Sequence, residues 1–273
     1  MPELAEVEYY LRQWSPGLGK QVEEVLIHPK ARIYRNTSAV GIRKQLTGET
    51  LLAGHRHGKQ WLFEFSGGNW LGGHLGMTGK LHAKPASDFQ PGKHDHLVLQ
   101  TAKRALVFTD SRMFGKVSLD VLDEPGRFPD WWEELPPEVL DSRFTPKRLA
   151  GFMKRHQKPP IKTLLLDQRM FPGIGNWMAD EICWRVQIHP ATPVGNLSDD
   201  QLSELWKQLR TLSRQALRVI GTNWDTPPNS WLFNHRWKDG GNCPRKECKK
   251  AGLVRINLRG RTTAFCPSCQ SSA

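Results

Sequence analysis

The sequence predicts an α+β fold. Three observations carry it: short apolar runs broken by turn signals between about residues 20 and 120, helical periodicity beyond residue 146, and four of the five cysteines gathered between 243 and 269. A chain of 273 residues holds about two domains and a small module, at roughly 100 to 200 residues per domain. The boundaries read as a β domain over 1–122, a connection over 123–145, a helical domain over 146–235 and a cysteine-bearing module over 236–273. Lys and Arg number 39 against 27 Asp and Glu, a formal charge of +12. Such a charge favours a polyanionic partner, nucleic acid first, over a merely solvated basic surface. No apolar run approaches the ~18 residues that span a bilayer, and the acidic, amphipathic start does not read as a leader. The expected setting is a bacterial-type cytosol, with no membrane partner.

The elements follow in order. Met1-Pro2-Glu3 opens the chain, and methionine is normally trimmed before a residue as small as proline. That would expose the secondary amine of Pro2 beside the Glu3 carboxylate. An amine of this kind attacks a sugar C1′ or a carbonyl and forms an iminium; a frayed terminus is the plainer reading. Leu4, Val7, Leu11 and Trp14 then fall at helical spacing over residues 3–14. Val25–Ile27, Trp61–Phe65, Leu97–Leu99 and Leu106–Phe108 read as strands, with Ser66-Gly67-Gly68-Asn69 and Thr101-Ala102-Lys103 as hairpin turns. The pattern suits an antiparallel sandwich or barrel. Asp123 to Pro146, with five prolines and an acidic cluster, reads as a surface connection.

Beyond it come a helix over Ile161–Gln168, a turn over Arg169–Gly175 and a second helix from Asn176 through Val186. Glycines at the turn let a backbone approach, and the N–H groups that open the second helix could cradle a phosphate, with Asn176 adding a donor. An ordinary glycine-turned helical hairpin is the alternative. Ser198-Asp199-Asp200-Gln201 forms a capping box for a helix that turns Leu202, Leu205, Trp206, Leu209, Leu212 and Leu217 inward and stops at Gly221. Cys243-x4-Cys248 and Cys266-x2-Cys269 read as a four-thiolate zinc site, with a disulfide or free thiols as the other readings. Trp131, Trp132 and the tryptophans between 224 and 237 read as core or interdomain packing, and Cys183 as a small buried hydrophobe. Asp180 and Glu181 point about 100° apart on a helix, which suits architecture better than a catalytic dyad.

Several motifs also stand in one order along the chain. They are Pro2-Glu3-Leu4 with Glu6-Val7-Glu8, Gly58-Lys59, His74-Leu75-Gly76-Met77-Thr78-Gly79 and Lys93-His94-Asp95-His96, then Thr109-Asp110-Ser111-Arg112-Met113-Phe114-Gly115, Asp167-Gln168 with Gly173-Ile174-Gly175-Asn176, and Gly260-Arg261-Thr262-Thr263 before Cys266. The set, nearly end to end, resembles the formamidopyrimidine-DNA glycosylase/endonuclease VIII (Fpg/Nei) family of base-excision repair enzymes. The resemblance implies an N-terminal catalytic β-sandwich, a helix-two-turn-helix DNA-binding domain and a β-hairpin zinc finger. It implies a bifunctional glycosylase and abasic-site lyase, monomeric, acting on damaged DNA, with one structural zinc held by Cys243, Cys248, Cys266 and Cys269. Pro2 would be the Schiff-base nucleophile, Glu3 the acid/base, Lys59 an assistant at a neighbouring phosphate, and Arg261 a phosphate grip that aids the second elimination. Asn176, with Lys158 and Lys162, would bind the lesion strand, and His94 and Arg112 match DNA-contacting positions. Met77, Arg112 and Phe114 match the side chains the family pushes into the duplex when a base is flipped out; taken alone, Met77 and Phe114 would read as core.

Two departures bear on substrate. Ala5 stands where the family has proline. After Gly221 the family's 8-oxoguanine-directed branch has a longer capping loop, whereas here Thr222 to Phe233 is short and stiffened by Pro227 and Pro228. Oxidised pyrimidines, ring-opened purines and hydantoins therefore stand beside 8-oxoguanine as expected substrates. The alternative function is a damage- or structure-binding protein with altered catalysis.

Overall fold

The computed structural model describes residues 1–124 and 126–271. The chain divides into two compact units, Met1–Leu135 and Pro136–Ala273.

The first unit opens with α1 (Leu4–Arg12), followed by β1 (Glu24–Ile27), α2 (Ala39–Leu46), β2 (Leu51–His57), β3 (Gln60–Phe65), β4 (Asn69–His74), β5 (Lys80–Pro85), β6 (Asp95–Gln100), β7 (Arg104–Thr109), β8 (Lys116–Val121) and the single turn α3 (Asp130–Glu133). The strands form two antiparallel four-stranded sheets, ordered β1-β6-β7-β5 and β2-β3-β4-β8. Leu81, Leu97, Leu99, Leu106 and Phe108 of the first sheet share one core with Leu51, Trp61, Phe63, Phe65, Leu71 and Val117 of the second. That common core makes a sandwich, the architecture in which alternating side chains of two sheets interdigitate. α1 joins it through Val7 and Leu11, and Trp14 stacks on Phe63 at 4.7 Å while its Nε1 donates to the carbonyl of Val107 at 3.3 Å.

α1 begins where Glu3 and Glu6 satisfy each other's backbone N–H groups in a capping box. Ala5 lies fully buried in its first turn, where a good helix former needs no proline. Sequence periodicity missed β2, β4, β5, β8 and α2. β4 carries Gly72 and Gly73 and is buried along nearly its whole length, so it shows no alternation of apolar and polar residues. Within the stretch read as a connection, the Phe128 ring lies 5.1 Å from that of Trp70 and Trp131 Nε1 donates to Asp120 at 2.9 Å, both within the first unit.

The second unit contains α4 (Pro146–Arg155), α5 (Ile161–Leu165), α6 (Asn176–Arg185), α7 (Asp199–Ala216) and the hairpin β9 (Val254–Leu258) and β10 (Arg261–Phe265). Val139 and Phe144 are buried in its core. α7 starts on the expected capping box, with Ser198 Oγ accepting from Gln201 N at 3.2 Å and Gln201 Oε1 accepting from Ser198 N at 3.0 Å. Its inward face is Leu205, Leu209, Leu212 and Ala216. α5 is shorter than the sequence suggests, because two side chains claim the backbone that would extend it. Asp167 accepts from Arg169 N at 3.0 Å, and the Gln168 amide spans the turn, donating to Ile174 O at 2.8 Å and accepting from Gly173 N at 3.1 Å.

Candidate functional site

In the first unit the chain start is fixed by α1. Leu4, Ala5 and Val7 are buried, and Glu8 accepts from Arg56 of β2 at 3.0 Å, so the helix cannot slide on the sheet. Pro2 is half-buried one residue before the N-cap, and Glu3 is buried beside it. A cavity of about 670 Å³ opens at this point, lined among others by Met1, His74, Met77, Phe114, Lys116 and Trp131. Lys59 sits on the two-residue turn between β2 and β3, where Gly58 takes φ 57°. His74, at the end of β4, is held neutral: burial, then Lys59 and Lys116, lower its pKa to about 4. Its Nδ1 accepts from Gly76 N at 2.8 Å, which leaves the proton of the neutral ring on Nε2.

Two loops present Met77, Arg112 and Phe114, and Asp110 ties them together. Its buried carboxylate accepts from Thr78 Oγ1 at 2.5 Å, Arg112 N at 3.2 Å and Gly115 N at 2.7 Å. Asp110 N in turn donates to the carbonyl of His94 at 2.9 Å, which places exposed His94 beside the same turn. The loops approach so closely that only glycine fits at position 76. Its φ is 64°, and an added Cβ would lie 2.4 Å from the carbonyl carbon of Phe114. Met77 is 39% and Phe114 51% exposed, and the Arg112 guanidinium lies 4.6 Å from the Phe114 ring. Neither apolar side chain belongs to the core.

In the second unit Asn176 opens α6 and Arg261 is exposed at the tip of the β9–β10 hairpin. The tip is a two-residue turn with Arg259 at φ 49° and Gly260 at φ 77°, the left-handed pair that such hairpins require. Asn176 Nδ2 donates to Thr262 O at 2.9 Å, one residue from Arg261. Lys158 is exposed on the loop before α5.

Lys162, expected at the DNA backbone, is instead 1% exposed. Its ammonium bonds Asp180 at 2.6 Å, Thr263 Oγ1 at 2.7 Å and Thr262 O at 2.9 Å. Burial lowers its pKa while Asp180 opposes the shift. The ammonium is consumed inside the unit and is withdrawn from any phosphate, so Lys162 supports the hairpin rather than touching a ligand. Asp180 also accepts from Arg236 and from Ala264 N at 3.1 Å, and Glu181 accepts from Arg185 at 2.9 Å and Phe233 N at 3.0 Å. Both acids are architectural, and burial raises the Glu181 pKa. Cys183 is buried, which pushes its thiol up.

Cys243, Cys248, Cys266 and Cys269 offer sulfurs that all lie within 4.8 Å of one another, so the four could hold one metal ion. Thiolates on a single zinc at ~2.3 Å stand about 3.8 Å apart, which this cluster can meet. Trp184 Nε1 donates to Cys243 Sγ at 3.3 Å, a contact that favours a thiolate. Among the described residues no helix is long and apolar enough to cross a membrane.

The first unit is thus a sandwich with a pocket at the chain start, and the second a helical unit with a cysteine-clustered hairpin and exposed basic residues. Residues 1–117 match the family model for the formamidopyrimidine-DNA glycosylase N-terminal domain, and residues 135–226 match that for the formamidopyrimidine-DNA glycosylase H2TH domain. The formamidopyrimidine-DNA glycosylase of Roseiflexus sp. is 39% identical over 287 residues, covering 99% of this chain and 100% of its own. That of Carboxydothermus hydrogenoformans is 34% identical over 280 residues, with 99% and 100% covered. The Lactococcus lactis enzyme, solved non-covalently bound to DNA containing an AP site, superposes with a TM-score of 0.84 at 28% identity, covering 99% of this chain and 100% of that one. The chain belongs to the Fpg/Nei family and is a DNA glycosylase of DNA repair.

His74 and Asp110 stand inside recognisable sequence motifs, yet sequence reasoning gave them no work. A lone histidine or aspartate carries no signal of its own; their roles emerge only when the two loops are brought together.

Proposed function

We propose that the protein is a bifunctional glycosylase and abasic-site lyase that excises oxidised or ring-opened bases through a Schiff base at Pro2. The observation that carries this reading is the shared cavity: Met1, bonded to Pro2, lines the same pocket as His74, Met77 and Phe114, so its removal leaves the Pro2 amine at that pocket's edge. With Met1 removed, the Pro2 nitrogen attacks C1′ of the damaged nucleotide and the bond to the base breaks. The base leaves with a proton, and the sugar is held as an iminium. Glu3, buried and fixed by its cap, manages protons at the opening sugar. β-Elimination then removes a 2′ proton and breaks the 3′ C–O bond, and δ-elimination breaks the 5′ bond, assisted by Lys59 and Arg261 at flanking phosphates.

The exposed trio Met77, Arg112 and Phe114 supports a wedge that fills the space left by the flipped nucleotide. Asn176, Lys158 and His94 serve the DNA backbone. The four cysteines fit one zinc ion, which would supply folding free energy to the hairpin that carries Arg261. The Lactococcus lactis protein has also been solved with DNA containing an oxidised pyrimidine, and the short segment after Gly221 suits this class as well as ring-opened purines and hydantoins.

Borohydride trapping on an abasic-site oligonucleotide tests the reading. The parent protein gives a covalent adduct. Pro2→Gly, with Met1 still removed, traps at a sharply reduced rate and keeps DNA affinity within a few fold. Undiminished trapping would move the nucleophile to a lysine, and no trapping by the parent would leave a damage-binding protein.

A further inference from the structure

The second unit contains another cavity, of about 930 Å³, whose lining includes Trp237, Lys238, Arg245, Lys246, Lys249 and Lys250. None of its lining residues belongs to the β9–β10 hairpin, so it is separate from the Arg261 turn. The tryptophan is not core, one of the two settings expected of it from the sequence: it is 55% exposed. Its orientation is nonetheless fixed. The guanidinium of Arg236 lies 4.6 Å from the ring centre, itself bound to buried Asp180, and Phe233 meets the ring edge-on at 5.2 Å. Trp237 is thus an indole held from within the unit and left open to solvent.

Around it stands a surplus of positive charge. Lys238, Lys246, Lys249 and Lys250 are exposed, and none has an acidic partner among the described residues. Lys249 and Lys250 adopt φ 48° and 62°, successive left-handed residues in the turn where Ala251 N donates to Cys248 O at 2.8 Å. Side chains with a Cβ seldom accept that conformation, and glycine at either place would relieve it. The turn keeps two ammonium groups where local geometry favours none.

We propose that this cavity is a second nucleic-acid site, taking an unpaired, single-stranded segment with one base stacked on Trp237 and its phosphates on the lysines. A fixed aromatic face beside a basic groove is how proteins hold single strands without reading sequence. A duplex hides its base faces, so it could use the lysines but not the indole. An acidic peptide would likewise use the charge and leave the ring idle. The inference goes beyond the glycosylase reading and does not depend on Pro2 or on the first unit's cavity.

The test is fluorescence anisotropy of a labelled, lesion-free oligothymidine of about a dozen nucleotides, within the ~4–16 that such sites span, against the whole chain. A short, blunt, lesion-free duplex is titrated in parallel, so the outcome does not require catalysis. Trp237→Ala lowers affinity for the oligothymidine about tenfold, the scale of one base stack removed, and leaves the duplex within twofold. Trp237→Phe keeps most of the binding, which separates stacking from a loss of fold. Lys249→Ala/Lys250→Ala weakens the single strand and flattens its salt dependence by about 0.7 in log-log slope for each phosphate no longer neutralised. Unchanged oligothymidine affinity in Trp237→Ala, or equal weakening on both probes, overturns the proposal. Displacement of oligothymidine by poly-glutamate at comparable concentration also overturns it, in favour of an acidic protein partner.

Discussion

At His74 burial and two neighbouring ammonium groups act in the same direction, and the result can be read in stability. The native imidazole titrates near 4, whereas an unfolded histidine takes up its proton near ~6.5. Above ~6.5 both states are neutral and the full native stability is present. As pH falls from there towards 4, only the unfolded chain gains the proton, so stability is progressively lost. His74→Gln can still accept from Gly76 N and has no such titration; urea midpoints followed from pH 7 to 4 should fall less steeply in that variant than in the parent. An identical slope would place the titrating group elsewhere. Glu3→Gln also keeps an oxygen for the α1 cap, so its effect should be chemical rather than structural. It should suppress base removal more than strand cleavage at a preformed abasic site, because a ready-made aldehyde condenses with an amine without proton management at an intact sugar. Equal loss of both activities, measured on paired substrates, would dismiss that division of labour. Residue identity alone brought Pro2, Glu3 and the cysteines forward as candidates, because amines, carboxylates and thiolates carry their chemistry with them, and the fold brings the four sulfurs together. It did not foresee the burial of Lys162 or the exposure of Trp237, since a lysine beside a buried aspartate and a half-exposed tryptophan differ from their usual settings only through the fold.

Among the elements, the β9–β10 hairpin depends on partners outside itself. Five strand residues a side cannot form an independent core. The hairpin is held at Thr262 and Thr263 by Lys162, at Thr262 by Asn176, at Ala264 by Asp180, and at its base by the cysteine cluster. Asp180 serves two buried cations at once, and removing its charge leaves both without a counter-ion. Asp180→Ala should therefore destabilise the second unit by about 3–5 kcal/mol, the cost typical of breaking a buried pair from one side, seen as a lowered thermal midpoint. Chelation should act on the same hairpin from its other end. Elemental analysis should give one zinc per chain, and its removal should lower lesion-DNA affinity while leaving the circular-dichroism signal of the helices largely in place. Protein free of zinc as isolated would count against the assignment of the tail. The elements legible in sequence were those with an apolar run, a helical period or a clear start: α1, α6, α7, β1, β3, β6 and β7. α5 ended early because Asp167 and Gln168 bond the backbone locally, and β4 hid because glycines and full burial erase alternation.

For the whole molecule, the formal charge of +12 acts as one quantity. Lys59 stands on a turn, Arg261 beside one and Asn176 at a helix start rather than in cores, the arrangement expected of two charges that neutralise phosphates and an amide that bonds one. If they do, affinity for duplex should fall steeply with salt, by about 0.9 in log-log slope for each phosphate neutralised. Arg261→Ala should then flatten the slope by about one unit and weaken lesion-bearing and undamaged DNA almost alike. Arg112→Ala should not behave in this way. Its guanidinium is spread over the Phe114 ring beside exposed Met77, where it can enter the gap left by a flipped nucleotide, a gap that undamaged duplex offers only at the cost of unstacking. The loss should therefore be several-fold greater on lesion DNA than on undamaged duplex, with the salt slope nearly unchanged. Titrations of both variants on both substrates at three or more salt concentrations separate the two roles. If Arg112→Ala loses affinity equally on both substrates and flattens the slope as Arg261→Ala does, Arg112 is one more backbone-binding group and the wedge is left to Met77 and Phe114.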